Sequence, residues 1–505
     1  MCSIAGLVGL TGVDKMISVQ RHRAPDESGV FKDGPLELGM GRLKILDLTS
    51  GGLAPYEEDH FVIAYNGEIY NYIELRKELK RLGWVFRTTG DTEVLLKAWR
   101  EWGMGMFNRL NGMFAFAIYD RRRKKLILAR DIAGEKPLYL YRKGRQFGFA
   151  SEAKALHKAL RLTERRDEFF HAFQHVHHKT LWEHVEAFPP AHVATYDIAT
   201  RALQVKPYWT FTPREIRVKT AAEELEALLE DAVKIRTRSD VAYGLYYSKG
   251  IDSSLIASLF PFKHKFYFDD TQDWKEDFYA NIDKIAWHLD FPVGSLSSYP
   301  LWKLAERATK KVRVVLSGEG ADEIFGGYIR YMPIAREWEM RQRYPSYTYL
   351  FNKYYPQYLD GFARITARDK DALELVREAI RPCFEMFDDP VNAMGFADFK
   401  LVMPSLLQMG DRMAAAHSLE NRCPFLDRRV IEFGFSLPSE LKIAGLDQKV
   451  ILRKVLAKRG VFRPLRDEKK GLTIRFNSWF QKKDWDRGAY FKLLTDRWKR
   501  AYRAH

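Results

Sequence analysis

The second residue of the chain is a cysteine in a position where it could act as a nucleophile. Removal of the initiator methionine would leave Cys2 at the N-terminus, with its thiol beside its own α-amino group. A free α-amine has a pKa of about 7.7 to 8.0, so it could accept the thiol proton without a separate histidine. A cysteine at this position is more often accidental, so the interpretation depends on the residues that follow.

Three motifs further along supply groups that could bind an α-amino acid with a side-chain amide. Arg42 could hold a carboxylate through two parallel hydrogen bonds, and Asp91 could pair with a substrate ammonium group. Asn66 and Gly67 could donate side-chain and backbone N–H groups to an oxyanion, and Glu68 follows them directly. Taken singly, an Asn-Gly pair is usually a hairpin turn and each charge a surface charge. Together these residues predict a site for such an amino acid.

A second chemical motif lies in the middle of the chain, where the hydrophobic period changes from that of a strand to that of a helix. Residues 241–247 are apolar and rich in aromatic and β-branched side chains, whereas Ile251, Leu255 and Leu259 recur at helical spacing. Residues 248–250 must then form a tight turn between the strand and the helix.

This turn could bind the phosphates of a nucleotide. Backbone N–H groups and the positive end of the helix attract anions, and the hydroxyls of Ser248 and Ser253 add donors. Asp252 would repel phosphates unless a divalent cation lay between them, which predicts Mg²⁺ bound with the nucleotide. The motif G-x-x-x-x-G-K-[ST] of enzymes that cleave at the γ-phosphate is not present here. An ordinary strand-to-helix turn with a capped helix is the alternative that this stretch alone leaves open.

A comparable loop follows further along, after a predicted strand at residues 313–316. Glu319 lies between two glycines in this loop, and Asp322 and Glu323 would open the next helix, where acids are common as capping residues. A second carboxylate close to Asp252 would also give Mg²⁺ its other ligand. Alternating strands and helices here predict a parallel sheet with helices on both faces and ligands at the carboxyl ends of the strands. The other elements predicted in this half are a helix around 225–233, a strand at 265–268 and a helix at 278–289.

Length and composition restrict the class of protein. A chain of 505 residues predicts two domains, and 46% hydrophobic with 29% charged residues is typical of soluble globular proteins. No apolar run approaches the ~20 residues of a membrane span, and we expect no signal peptide. Three scattered cysteines favour a reducing cytoplasm over a disulfide framework or a zinc site, and we interpret Cys383 and Cys423 as packing residues. The net charge of +16 is spread along the chain, so we expect anionic small substrates and no nucleic-acid partner.

The N-terminal half has the pattern of stacked sheets. Residues 113–119 are apolar on both faces, and residues 126–130, 131–139 and 147–156 continue this mainly β region. A proline-rich passage before residue 209 predicts a linker, which places the domains at 2–205 and 206–505.

The order of these motifs resembles that of the class B, glutamine-hydrolysing asparagine synthetases. MCSIAG, RHRAPD, YNGEIYNY, TGDTE, ARDIAGEKPLY and FASEAKAL resemble their glutaminase domain. SKGIDSS, LSGEGADEIFGGY, DRMAAAHSLENRCPFLD and EKKGL resemble their ATP pyrophosphatase-type synthetase domain. The resemblance implies an α+β N-terminal-nucleophile (Ntn) hydrolase sandwich (αββα), followed by an α/β adenine-nucleotide alpha-hydrolase-like domain with a helical C-terminal part.

The resemblance also implies a reaction and a role for each matching residue. Cys2 would hydrolyse glutamine, Asn66 and Gly67 would bind the oxyanion, and the ammonia would displace AMP from an aspartate adenylated by ATP. Glu319 would deprotonate the attacking nitrogen, and Lys469 would offset charge on the pentavalent phosphorus. It implies a cytoplasmic enzyme without a membrane partner, for which a homodimer is one arrangement to test. The implied binding residues are Arg42, Asn66, Glu68 and Asp91 for glutamine, Tyr246, Ser248, Lys249, Gly250, Asp252, Ser253, Phe268, Ser317 and Gly318 for ATP, and Asp252 and Asp322 for Mg²⁺.

Two positions depart from the family pattern. Ala24 replaces a glycine in a turn, where we expect it to be tolerated, and Lys249 replaces the first glycine of the phosphate loop Ser-Gly-Gly-x-Asp-Ser. If that position needs a positive φ, a side chain there costs on the order of 1 to 3 kcal/mol. Alternatively, the Lys249 ammonium could reach the pyrophosphate and take over part of its binding.

Two other functions stay open from the sequence. Relatives with the same adenylating domain act on other carboxylates, so the acceptor could be a secondary metabolite or a surface sugar instead of aspartate. A regulatory protein that binds glutamine and has lost the synthetase step is the alternative from a different class.

Overall fold

The computed structural model describes residues 1–49, 54–165, 179–293, 295–347, 352–353, 357–367, 370–466 and 487–504. An N-terminal part contains two antiparallel sheets, and a C-terminal part is built around a parallel sheet. Within the described residues, no helix combines the length and the hydropathy needed to span a bilayer.

Two six-stranded antiparallel sheets pack face to face in the N-terminal part. Their central strands are apolar and largely buried because each sheet packs against the other sheet on one face and against helices on the opposite face, whereas the edge strands Glu27–Asp33 and Leu203–Pro207 are more exposed. The strands are β1 (Ser3–Val8), β2 (Glu27–Asp33), β3 (Leu36–Arg42), β4 (Tyr56–Glu58), β5 (Phe61–Ile69), β6 (Gly112–Asp120), β7 (Lys125–Arg130), β8 (Tyr139–Lys143), β9 (Gln146–Ala150), β10 (Val185–Ala187), β11 (His192–Asp197) and β12 (Leu203–Pro207).

Four helices cover the outer faces of this sandwich. The first sheet has the order β10-β8-β9-β1-β3-β2, and the second has the order β12-β11-β7-β6-β5-β4. Helices α1 (Val13–Val19), α2 (Tyr72–Arg81), α3 (Asp91–Trp102) and α4 (Ala153–Leu160) pack in pairs, α1 with α4 on the first sheet and α2 with α3 on the second. The predicted αββα sandwich is confirmed, and the predicted boundary at 205/206 falls inside β12.

One stretch of the predicted β region is a helix. We expected residues 147–156 to continue the mainly β region, but β9 ends at Ala150 and α4 begins at Ala153. Asp290, far away in sequence, accepts hydrogen bonds from the backbone N–H groups of Ala153 at 2.6 Å and Lys154 at 2.8 Å. A distant carboxylate therefore satisfies the first turn of this helix, and no local pattern reveals it. The neighbouring stretch 131–139 is also not a strand until its last residue, where β8 begins.

The C-terminal part contains the predicted parallel sheet, with strand order β14-β13-β15-β16. The predicted strands at 241–247, 265–268 and 313–316 are confirmed in shorter form. The fourth strand has the sequence ENR, which carries no apolar residue, and was not predicted. The strands are β13 (Tyr243–Tyr246), β14 (Lys265–Phe266), β15 (Val314–Leu316) and β16 (Glu420–Arg422), with a small hairpin of β17 (Ile443–Ala444) and β18 (Asp447–Gln448).

Helices make up most of the rest of this part, as predicted. The predicted helices around 225–233, after residue 250 and at 278–289 are confirmed, and the last of these begins three residues earlier. The helices are α5 (Ala221–Arg236), α6 (Ile251–Leu259), α7 (Lys275–Leu289), α8 (Ser298–Ala308), α9 (Ala321–Phe325), α10 (Met332–Arg343), α11 (Tyr358–Ala367), α12 (Lys370–Met386), α13 (Pro390–Leu401), α14 (Met403–Ala415), α15 (Arg428–Ser436), α16 (Val450–Lys458), α17 (Arg463–Arg466) and α18 (Arg487–Ala504).

A buried network of charged groups joins the two parts. The two terminal nitrogens of Arg23 lie 2.8 and 3.0 Å from the carboxylate oxygens of Asp411, and Arg23 Nη1 lies 3.0 Å from Glu152 Oε1. Arg412 lies 3.3 Å from both Glu152 and Asp290. All five side chains are buried. Because buried charges are stable only when they are paired, this network favours one arrangement of the two parts.

Candidate active sites

Strand pairing places Cys2 at the meeting point of the two N-terminal sheets. Cys2 comes directly before β1, and the pairing of Ser3 with Gly41 sets it close to Arg42 at the end of β3. Asn66, on β5 of the other sheet, accepts a hydrogen bond from the Cys2 backbone N–H through Oδ1 at 2.9 Å. Residues that are distant in sequence thus meet at the thiol.

The thiol opens onto a cavity that contains most of the predicted glutamine residues. Asn66 contacts the backbone of Cys2, and its buried Nδ2 has no hydrogen-bond partner among the described residues. An unpaired buried donor costs about 1 to 3 kcal/mol, so it fits a site where an oxyanion accepts the hydrogen bond. The predicted residues that line the cavity are Cys2, Arg42, Gly67, Glu68 and Asp91.

Two buried acids in this site are oriented by fixed partners. Asp91 Oδ2 accepts hydrogen bonds from the Tyr65 hydroxyl at 2.7 Å and from the Ile69 N–H at 2.8 Å. Glu68 Oε2 lies 2.8 Å from Arg422 Nη2, while its Oε1 has no partner within the part of the chain that the structure describes. Burial raises the pKa of both carboxyl groups, and the charge of Asp91 raises the pKa of Glu68 further. A substrate ammonium group would favour the ionised forms of both acids.

Arg42 makes more hydrogen bonds within the protein than the sequence indicated. Its Nη1 donates to Glu27 at 3.2 Å and to the Thr49 carbonyl at 3.0 Å. Its Nη2 donates to the carbonyls of Leu46, at 3.0 Å, and Asp47. The guanidinium therefore holds the loop that follows β3 while it lines the cavity. Binding of a substrate carboxylate by Arg42 stays a prediction.

The Asn66-Gly67 pair lies inside strand β5 and not in a hairpin turn, because β5 continues to Ile69. A Cβ on Gly67 would lie 2.2 Å from the Met113 carbonyl oxygen of the neighbouring strand β6. Glycine is therefore required here by the close approach of the two strands.

Two residues of the C-terminal part also reach the first site, and the sequence did not identify them. Glu420 Oε2 lies 2.8 Å from the α-ammonium of Met1, and its Oε1 accepts a hydrogen bond from Arg422 Nε at 2.9 Å. Although burial opposes the change, these two cations lower the pKa of Glu420 to about 2. Burial raises the pKa of the Cys2 thiol, and the N-terminal ammonium opposes that rise. The sequence signal was a pair of opposite charges, two residues apart, in a short segment with apolar residues on either side.

The second site lies where strands β13 and β15 end side by side. Their parallel pairing, with Leu245 opposite Leu316, brings together the turn after β13 and the loop after β15. A Cβ on Gly318 would lie 2.8 Å from Asp252 Cβ, so this glycine permits the two loops to approach. A cavity of about 550 Å³ adjoins both loops. Its lining includes the predicted ATP residues Tyr246, Ser248, Asp252, Ser253, Phe268, Ser317 and Gly318, whereas Lys249 and Gly250 lie exposed in the same turn.

The two predicted Mg²⁺ ligands converge on one cation. Lys449 Nζ lies 2.5 Å from Asp252 Oδ1 and 2.7 Å from Asp322 Oδ1. Although burial opposes it, the two carboxylates raise the pKa of Lys449. Within the described parts of the chain, no three His, Cys, Asp or Glu side chains are grouped for metal binding. The pair therefore fits Mg²⁺ that takes its remaining ligands from substrate phosphates and water.

The lysine found at this site is not the one that was predicted. Lys469 and the rest of its motif, residues 468–472, lie outside the described residues. Lys449 precedes helix α16 in a left-handed conformation, with φ of 54°. Its sequence signal was weak, because a lysine next to an amphipathic helix is usually a surface residue.

Lys249, which replaces a glycine of the family pattern, has the positive φ that we considered for this position. Its φ is +65°, in the left-handed region, where a side chain costs roughly 1–2 kcal/mol. The side chain is exposed, and Nζ lies 5.1 Å from the centre of the Tyr267 ring, which lines the cavity. The structure therefore keeps the lysine ammonium near this cavity at a moderate backbone cost.

Lys249→Gly should change pyrophosphate release by less than about fivefold. The strain relieved, about 1 to 2 kcal/mol, is largely offset by the roughly 1 kcal/mol entropy cost of glycine. Lys249→Ala, which keeps the strain and removes the ammonium, separates the charge from the backbone effect. A gain well above tenfold for the glycine variant would show that the lysine impairs the site.

Glu319 extends from the loop after β15 into the same cavity. Its Oε2 accepts hydrogen bonds from Asn421 Nδ2 at 3.0 Å, Cys423 Sγ at 3.3 Å and Ser317 Oγ at 3.4 Å. Burial raises the pKa of Glu319 to about 7, and these three donors oppose the rise. Cys423 is buried in the apolar core, in agreement with our interpretation of it as a packing residue, and its thiol also contacts this acid. Cys383 is buried in the apolar core, in agreement with a packing role.

Both halves of the chain match known proteins. A family model described as glutamine amidotransferase domain matches residues 1–209, and one described as asparagine synthase matches residues 224–266 and 269–497. The chain is 30% identical to glutamine-hydrolysing asparagine synthetase 1 of Bacillus subtilis, over 94% of this chain and 86% of that protein. It is also 30% identical to a putative glutamine-hydrolysing asparagine synthetase of Mycobacterium bovis, over 94% of this chain and 87% of that protein.

Among solved structures, a glutamine phosphoribosylpyrophosphate amidotransferase from B. subtilis aligns with a TM-score of 0.32 and 16% identity. The alignment covers 51% of this chain and 62% of that chain, and its score is too low to add to the assignment. The two sequence relatives, by contrast, match 94% of this chain and therefore both of its halves. This chain belongs to the family of glutamine-hydrolysing asparagine synthetases.

Proposed function

We propose that this protein synthesises asparagine from aspartate, using ATP and the amide nitrogen of glutamine. The observation that carries the proposal is the pairing of two cavities in one chain. One cavity adjoins the thiol of Cys2, and the other adjoins Asp252, Asp322 and Glu319. Membership of the family over both halves of the chain supports the same reaction.

At the first site, Cys2 would attack the amide carbon of glutamine after removal of Met1. The free amine of Cys2 takes the thiol proton, and Asn66 Nδ2 with the Gly67 N–H binds the oxyanion. A C–S bond forms, the C–N bond breaks, and the amine returns the proton to the leaving nitrogen as ammonia departs. Water then cleaves the thioester and releases glutamate. The charged groups of glutamine would bind to Arg42, Glu68 and Asp91.

At the second site, the side-chain carboxylate of aspartate would attack the α-phosphorus of ATP. Pyrophosphate leaves, and β-aspartyl-AMP remains in the cavity. Asp252 and Asp322 would hold Mg²⁺, which supplies positive charge to the phosphates when it is bound. Ammonia then attacks the β-carbonyl carbon, the C–O bond to AMP breaks, and Glu319 takes a proton from the nitrogen. Lys449 can compensate phosphate charge beside the two aspartates.

Purified protein given glutamine, ATP and aspartate tests the proposal. We expect asparagine, AMP and pyrophosphate in equal amounts, with at least one glutamate for each asparagine. AMP formed only with another carboxylic acid from a panel would indicate an amidotransferase with a different acceptor. Glutamate formed without AMP would indicate a glutamine-binding protein that has lost the synthetase step.

The pH dependence of the ammonia-dependent reaction tests the role of Glu319. Since this base must be ionised and its pKa is raised to about 7, the rate should fall about tenfold per pH unit below that value. The measurement is kcat for asparagine formation at a constant concentration of free NH₃. Glu319→Gln should lower this rate by about 10² to 10⁴ and remove its decrease at low pH. The same decrease at low pH in the Glu319→Gln variant would exclude Glu319 as the base.

Assembly and location stay predictions from the resemblance. We propose a cytoplasmic enzyme that binds glutamine, aspartate and ATP, and a homodimer as its assembly. Light scattering of the purified protein at several concentrations measures the mass directly. A mass of one chain at micromolar concentration would contradict the homodimer without affecting the proposed reaction.

A further inference from the structure

Strand β16 lies between the two sites, and its side chains alternate between them. Glu420 contacts the Met1 ammonium at 2.8 Å, and Arg422 contacts Glu68 at 2.8 Å. Asn421, between them, contacts Glu319 instead. Successive side chains of a strand point to opposite faces, so this alternation follows from the strand itself. Asn421 therefore lies on the synthetase side, one residue away from side chains that reach the glutaminase cavity.

Asn421 is a buried amide that uses only part of its hydrogen-bonding capacity. Its Nδ2 donates to Glu319 Oε2 at 3.0 Å and lies 3.9 Å from Cys423 Sγ, and its buried Oδ1 has no partner among the described residues. An ionised carboxylate only accepts hydrogen bonds, so the amide must present its nitrogen to Glu319. No donor from the described part of the chain reaches Oδ1, which belongs to the same amide that holds the base. Leaving a buried acceptor unpaired is unfavourable, and the arrangement fits a place that a small donor molecule occupies during turnover.

The contacts of Glu319 leave one of its oxygens for proton transfer. All three hydrogen bonds to this side chain from the described residues end on Oε2. The carboxylate lies against Gly410, where an added Cβ would approach Oε1 to 2.7 Å and Oε2 to 2.9 Å, so the glycine makes room for the whole group. Asn421 thus fixes the carboxylate through one oxygen while the other can accept a proton.

We propose that Asn421 forms an ammonia-receiving subsite, in which Nδ2 holds Glu319 and Oδ1 accepts an N–H from the incoming ammonia. This inference rests on the proposed function. Ammonia has three N–H groups and one lone pair, so it can donate to Asn421 and to Glu319 while the lone pair points at the acyl carbon. The N–C bond forms, the C–O bond breaks with its electron pair leaving on AMP, and one proton passes to Glu319 Oε1. Asn421 exchanges no proton and acts by binding and positioning.

Asn421→Leu tests this subsite, because leucine has a similar size and makes no hydrogen bond. We expect the KM for ammonia to rise about tenfold, as for the loss of one hydrogen bond, with aspartate-dependent pyrophosphate formation within twofold of the parent. With glutamine as donor, more glutamate should form per asparagine because ammonia escapes before capture. Asn421→Ala removes the amide without adding bulk and serves as a second variant if the leucine variant does not fold.

Asn392→Leu is the matched control for the loss of a buried asparagine. Asn392 lies in helix α13, and its Nδ2 donates to the Leu437 carbonyl at 2.9 Å. The Asn392→Leu variant should therefore lower Tm and leave the KM for ammonia and the glutamate-to-asparagine ratio unchanged. An unchanged KM and ratio in the Asn421 variants would overturn the inference, as would an equal loss of pyrophosphate formation. If the parent makes no asparagine from aspartate and ammonia, the proposed function fails. If the parent makes asparagine and the Asn421 variants behave like it, this inference alone fails.

Discussion

Cys2→Ala should abolish asparagine formation from glutamine and leave its formation from ammonia nearly intact. The variant lacks the nucleophile, so glutamine-dependent synthesis should fall by about 10³ or more. The ammonia-dependent rate should stay within about twofold, because Asp252 and Glu319 belong to the other cavity. The measurement is asparagine formed per minute with each nitrogen donor at saturating ATP and aspartate.

Cys383→Ser is the matched control for the loss of a thiol. Cys383 is buried, and burial raises its pKa to about 12, which makes the thiol unreactive. This variant should keep glutamine-dependent synthesis, with some loss of stability. A Cys2→Ala protein that still uses glutamine, or that also loses the ammonia reaction, would contradict the division of labour between the two cavities. Intact-mass measurement of the parent should show that Met1 is absent.

Asp252→Asn should remove most pyrophosphate formation and leave glutamine hydrolysis intact. The substitution removes one of two carboxylates that converge on a single cation position, now occupied by Lys449 Nζ at 2.5 and 2.7 Å. Charge stabilisation by a bound metal ion is worth several kcal/mol, and a loss of about 3 to 4 kcal/mol corresponds to roughly 10² to 10³ in rate. The measurement is pyrophosphate formed with ATP, aspartate and increasing Mg²⁺. Asp322→Asn should behave in the same way.

Asp270, an exposed residue, provides the control for the Asp252→Asn prediction. Asp270→Asn changes the same type of side chain close in sequence to Phe268, which lines the cavity, and should leave pyrophosphate formation unchanged. Full activity of Asp252→Asn at the Mg²⁺ concentration that saturates the parent would show that the two aspartates do not share a cation with ATP.

The parts of the two sites that depend on local pattern could be predicted from the sequence. The strand, turn and helix around residue 250 follow from a change in hydrophobic period, and Cys2 follows from its position in the chain. Gly67 lines the first cavity and Asn66 contacts the Cys2 backbone, but the sequence did not show that they lie within β5. Their pairing with β6 is a contact between distant segments, which turn statistics do not contain.

The residues that were missed are those whose environment comes from the other half of the chain. The sequence analysis did not single out Glu420 and Arg422, which are buried and pair with the Met1 ammonium and Glu68. Helix α4 was read as part of a β region because its cap, Asp290, lies more than a hundred residues away. The environment of Lys449 likewise comes from a distant segment, because its ammonium pairs with Asp252. Buried ion pairs between distant segments leave almost no pattern in a single sequence.

The central claim is that nitrogen released at Cys2 is consumed at an adenylated acid held by the same chain. Its most direct test supplies [amide-¹⁵N]glutamine, aspartate and ATP together with unlabelled ammonium at an equal concentration. The amide of the asparagine product should carry mostly ¹⁵N, because the nitrogen moves between the two cavities without equilibrating with the solution. Asparagine labelled in proportion to the mixed ammonia pool, or the absence of asparagine, would contradict the claim.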